Sequence, residues 1–182
     1  MRQTKKLTLT AFFLVLGLTL PFLTGQIQII GNMLLPMHIP VLLCGLICDK
    51  KHGLLLGAIL PILRSFLFTM PILYPNAIAM AFELAAYGFF IAILFNQNKW
   101  KCIKSLYRAL ILTMIIGRIV WACAMILLLG PSQFAFSTFI TAGIINAIPG
   151  IILQLTLIPS IMLVLDKTHL VPFTKQSSTY KI

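Results

Sequence analysis

Three residues of this chain stand where their chemistry is costly: Arg64, Glu83 and Arg118 each interrupt a long apolar run. A charge near the centre of a bilayer costs about 2.5–3.5 kcal/mol or more, so such residues turn inward, pair with one another or line a watery cavity. Glu83 can balance one arginine, which leaves one positive charge unmatched. Two kinds of chemistry follow. One is an ion pair that fastens helices together. The other is the charged wall of a solute pocket, where an anion or acceptor answers the unmatched arginine. An arginine without a partner in lipid favours the second.

Other polar and aromatic groups gather on the same stretches. Asn76, Glu83 and Tyr87 are spaced seven and four apart, which places them on one helix face, and Arg118, Trp121 and Met125 form a similar stripe. Asn146 precedes Pro149-Gly150, a pair that can bend a helix and free a carbonyl. His38 lies between Pro36 and Pro40, where it can cap broken backbone or touch a ligand. Trp121 taken alone reads as core, but beside Arg118 it can stack on a ring. Gln154 reads as a cross-helix hydrogen-bonding partner outside the site. Cys44 and Cys48 share a face, yet two small apolar residues in a packed helix explain them better than a metal or redox pair. Nothing in the sequence calls for a metal, a cofactor or a catalytic residue.

The elements that position these residues are membrane helices. Hydrophobic residues make up 60% of the chain and charged ones 9%, with a mean hydropathy of +1.04, which excludes an ordinary soluble domain. Apolar runs of about 18–25 residues match a hydrocarbon core about 30 Å thick, and backbone groups in lipid must bond within their own segment. The expected fold is an all-α bundle of six transmembrane helices at 7–23, 33–48, 53–68, 76–95, 105–129 and 134–165, with a tail over 168–182. The prolines at 36 and 40 should make helix 2 bend or begin late. The basic start of the chain lacks a small-residue cleavage pattern, so residues 7–23 are expected to stay as the first span.

Lysines and arginines cluster near residues 2–6, 50–51, 99–108 and 167–181, whereas the linkers 25–32, 69–75 and 130–133 carry no charge. The positive-inside rule then places both termini in the cytoplasm. The net charge of +11 thus marks membrane orientation and does not indicate nucleic acid. In that frame, helix lengths put Arg64 about 7 Å, Glu83 about 10 Å and Arg118 about 16 Å below the outer surface.

With these residues in view, the chain resembles the substrate-binding S component of energy-coupling-factor (ECF) vitamin transporters. The resemblance rests on Lys5-Lys6-Leu7-Thr8-Leu9-Thr10-Ala11, on the run Leu34-Leu35-Pro36-Met37-His38-Ile39-Pro40 continuing to Gly45, and on Ala79-Met80-Ala81-Phe82-Glu83-Leu84. Gly117-Arg118-Ile119-Val120-Trp121 and Ile145-Asn146-Ala147-Ile148-Pro149-Gly150 add to it. It implies a water-soluble vitamin bound from outside, with Glu83, Arg118, Asn146, Trp121, Tyr87, His38, Asn76 and Arg64 as the candidate site. It also implies partners, namely a membrane scaffold subunit and two ATPases, with the subunit toppling in the membrane to release its ligand. No Gly-rich phosphate loop ending in Gly-Lys-Ser/Thr occurs, in keeping with an outside energy source. The family's pair of alanines four apart on helix 1, a flat docking face, is here Ala11 and Val15, a departure that affects the docking surface.

Other classes remain as alternatives. An intramembrane enzyme needs paired catalytic groups, and Glu83 and His38 have no matched partner. A self-sufficient transporter of this length would lack paired repeats with broken helices, and a structural membrane subunit would bind no small molecule. Between pantothenate and a pyridoxine-like ring the sequence leaves both open.

Overall fold

The computed structural model describes residues 3–24, 34–97, 102–130 and 145–167. Among them are six α-helices: α1 (Gln3–Thr19), α2 (His38–Ile47), α3 (Lys50–Phe68), α4 (Ile78–Gln97), α5 (Ile103–Leu129) and α6 (Ile148–Lys167). Short turns of other helix types, Leu20–Thr24, Leu73–Ala77 and Ile145–Ala147, lie at the ends of α1, α4 and α6. Five segments are long and apolar enough to cross a membrane; α2, of 10 residues, is the exception. No strand occurs among the described residues. This is an all-α membrane bundle. The expected start of helix 6 at 134 and the tail over 168–182 lie outside the described residues.

The late start of α2 has a local cause. Leu35 adopts φ 49°, a left-handed conformation that a bulky residue takes only under constraint. Pro36 also disfavours helix at the residue before it. Pro40 is tolerated in the first turn, because the first four N–H groups of a helix have no helical partner anyway. The helix therefore begins at His38 instead of near residue 33, and at 1.5 Å per residue its 10 residues rise about 15 Å, half the hydrocarbon core.

Helices α2, α3 and α4 approach backbone to backbone. A Cβ at Gly57 would collide with the Leu84 carbonyl, and one at Gly88 with the Gly53 carbonyl, so glycine alone allows these crossings. The pairs 57/84 and 53/88 define an antiparallel register of α3 on α4. Gly45 also lies against the Gly88 carbonyl, and with His38 near Glu83 this makes α2 parallel to α4. The core joins Leu42, Leu60, Leu84, Ile91, Leu106, Leu110, Ile158 and Met162, all fully buried. The large apolar side chains left exposed, such as Phe12, Phe66, Ile115, Ile119, Leu127 and Val164, form the face that lipid would cover.

Two contacts fasten α1 to this block. At one end Lys6 Nζ lies 2.9 Å from Asp49 Oδ2, and Asp49 caps α3 by accepting from the backbone N–H groups of Lys51 and His52 at 2.9 and 3.0 Å. The His52 ring Nδ1 is 2.8 Å from the same carboxylate. Burial alone would raise the Asp49 pKa, but the His52 backbone N–H, the His52 ring and the Lys6 ammonium together hold it well below the usual carboxylate range. Cys44 and Cys48 are free and buried beside α1: Cys44 Sγ lies 3.7 Å from Thr10 Oγ1, and Cys48 Sγ donates to the Lys6 carbonyl at 3.7 Å. They serve as packing residues, as expected.

Candidate functional site

At the other end of the bundle the Tyr74 hydroxyl donates to the Leu128 carbonyl, tying the start of α4 to the end of α5. Glu83 lies nine residues along from Tyr74 and Arg118 ten residues back from Leu128. At 1.5 Å per residue both lie about 14–15 Å from this tie, so antiparallel α4 and α5 carry them to one level. They meet there. Arg118 Nη1 is 3.0 Å from Glu83 Oε1, with the Glu83 side chain 2% and the Arg118 side chain 12% exposed. The charges are close but no N–H is aligned on Oε1, which has no hydrogen-bond donor among the described residues.

His38 joins from α2. Its Nε2 stands 3.5 Å from Glu83 Oε1 with the ring fully buried, and both ring nitrogens lack a hydrogen-bond partner among the described residues. The parallel register of α2 brings its first turn level with Glu83, so the carboxylate lies beside the positive end of that helix dipole. Tyr87, one turn beyond Glu83, packs edge-on to the His38 ring at 5.1 Å between centroids. Its ring also fills the space over Gly117, where any side chain would collide with it, and its hydroxyl reaches the Met114 carbonyl at 3.5 Å. Glu83, Arg118, His38 and Tyr87 therefore form one buried cluster drawn from α2, α4 and α5.

The other expected residues take these places. Trp121 is half-buried one turn from Arg118, against Ala79, Ala124 and Met125. Asn76 is half-buried in the turn before α4, and Asn146 is exposed in the turn before α6. Arg64 is placed elsewhere. The register set by Gly57 and Leu84 puts Arg64 opposite Ala77, six residues or about 9 Å from the level of Glu83. Its Nη1 donates to the Leu18 carbonyl at 2.6 Å, and its guanidinium lies 5.4 Å from the Phe22 ring centre and 5.3 Å from that of Phe68. Leu18 is in the last turn of α1, where carbonyls have no helical N–H, and the aromatic faces stabilise the cation. The arginine without a carboxylate is thus Arg64, and it holds the end of α1 instead of supplying a counter-charge to Glu83.

Sequence reasoning set Gln154 aside as a cross-helix partner. It is 1% exposed, and its Nε2 has no partner among the described residues. Thr113 Oγ1 on α5 is likewise buried and unpartnered. The apolar context of both residues gave no signal for this. No group of three or more metal-ligating side chains occurs among the described residues.

The fold and cluster define a small polytopic helical membrane protein with ionisable and aromatic groups buried at mid-bundle. The chain matches the family described as "ECF transporter, substrate-specific component" over residues 5–162, nearly its whole length. It belongs to that family. It is therefore a substrate-specific subunit of an ECF uptake system, a multi-pass membrane protein and a transporter subunit, not an enzyme. No curated protein and no solved structure gives a significant match.

Proposed function

We propose that this subunit binds a water-soluble B vitamin, pantothenate or a pyridoxine-like compound, on the outer side of a prokaryotic plasma membrane. The observation that carries the reading is the Glu83–Arg118 pair with His38 and Tyr87, buried at the start of a half-length helix in a chain of this family. A lone structural ion pair needs neither His38 nor a helix N-terminus beside it. A pocket does, since half-helix termini in transporters supply charge to a solute held near the midplane. Trp121 would cover the ligand one turn outward, with Asn76 and Asn146 nearer the mouth.

The charge distribution of the linkers supports cytoplasmic termini, so the Tyr74 end faces outward and the Asp49 end inward. On α1, Thr4, Thr8, Ala11, Val15 and Thr19 are exposed along one stripe, a surface suited to the scaffold helices, with Val15 making it less flat than a pair of alanines would. Two ATPases reached through that scaffold would supply the energy, and toppling of the subunit would release the ligand inside.

The test is titration of the purified full-length chain with each B vitamin. Saturable binding of one of them, without ATP or any partner, is expected. A folded protein that binds none, or one that concentrates a vitamin in proteoliposomes on its own, overturns the reading.

A further inference from the structure

We infer that the ligand of this site carries a carboxylate, taken by the Nε/Nη2 edge of Arg118. The inference rests on the pocket proposed above and goes on to choose among its ligands. A guanidinium presents its N–H groups in a fixed plane, and those of Nε and Nη2 lie parallel along one edge. Arg118 spends its opposite corner, Nη1, on Glu83. Nε and Nη2 are both buried and have no partner among the described residues. Two dry charged donors side by side match the two oxygens of a carboxylate. If the only task were to neutralise Glu83, a lysine would do it and leave no such edge bare.

Charge points the same way. Among the described residues in the half of the bundle at the Tyr74 end, Arg64 and Arg118 stand against Glu83 alone, two positive charges and one negative, a surplus of one. Arg64 is about 9 Å from the level of the pair, close enough to be felt through protein. The N-terminus of α2 adds partial positive charge at that level. A monoanion brings the region to neutrality, whereas an uncharged ligand leaves the surplus and the bare edge as they are. His38, fully buried with both ring nitrogens unpartnered, marks the same region as unsaturated and shielded from water.

The test uses matched ligands that differ only at the acid: pantothenate and panthenol, 4-pyridoxate and pyridoxine, nicotinate and nicotinamide. Each is titrated into the purified full-length chain, wild type and Arg118→Lys. For the pair that binds, the acid should bind at least about tenfold more tightly than its neutral partner. Arg118→Lys keeps the charge and loses the edge, so it should remove most of that preference. An uncharged partner that binds as tightly as its acid overturns the carboxylate assignment and leaves the vitamin reading standing, as does an Arg118→Lys protein with undiminished affinity for the acid. Binding by no member of any pair overturns both. Should Arg118→Lys fail to fold, the wild-type comparison alone decides.

Discussion

The Glu83–Arg118 pair invites a double-mutant cycle on the unliganded protein. At 3.0 Å and an effective dielectric of about 20, the gross attraction is about 5–6 kcal/mol, which the desolvation of two buried ions largely offsets. Arg118→Met leaves Glu83 buried with only His38, at 3.5 Å, beside it, and Glu83→Met leaves Arg118 with no carboxylate. Each single change should cost about 3–5 kcal/mol. The double change removes both charges and keeps most of the volume, so it should cost less than about 3 kcal/mol, well short of the sum. The coupling energy is then at least about 2 kcal/mol. Reversible unfolding in mixed micelles, followed by circular dichroism on all four proteins, supplies the numbers. Additivity within about 0.5 kcal/mol would refute the pairing, because independent sites add that closely.

Two further outcomes follow from α1. Arg64→Met removes the bond to the Leu18 carbonyl and the contact with Phe22 and Phe68, so it should destabilise the protein by about 1.5–3 kcal/mol and lower the affinity for an acidic vitamin less than Arg118→Met does; a loss of affinity as large as that of Arg118→Met in a protein of normal stability would place Arg64 in the binding site instead. Asp49 has its folded pKa depressed, so its contribution is complete above the unfolded value of about 3.9 and is lost as pH falls below that. The gap in melting temperature between wild type and Asp49→Asn should therefore narrow as the pH falls below about pH 4; a gap that grows between about pH 4 and pH 2 contradicts the network.

The helical membrane class was legible because apolar runs of spanning length have few other uses, and Glu83 and Arg118 because charges in such runs must find partners. Their meeting could be anticipated from depth, since both lie within a band that antiparallel helices bring level. Arg64 misled that reasoning. Depth counted from helix ends placed it near the others, but the glycine crossings of α3 on α4 slide it about 9 Å away from Glu83. Two of its true partners, the Leu18 carbonyl and the Phe22 ring, lie 46 and 42 residues away, which no local pattern reports; the Phe68 ring, four residues on, is the local one. The late start of α2 was foreseeable from its prolines. That this start would set His38 against Glu83 required the parallel register of α2 on α4. Lys6 and Asp49, 43 residues apart, were hidden for the same reason as Arg64.

The glycine crossings also divide the molecule mechanically. Where α2, α3 and α4 touch through bare backbone there is no layer of side chains to shear, so the three behave as one plate. Glu83 and His38 ride on it. The plate also carries α1, riveted at Lys6 to Asp49 and at Leu18 to Arg64. Arg118 belongs to the neighbouring piece, since α5 leans on α4 through side chains, with the Tyr87 ring lying over Gly117 like a bearing. Glu83 and His38 therefore sit on helices joined by bare backbone, and Arg118 reaches them from a helix that meets α4 through side chains.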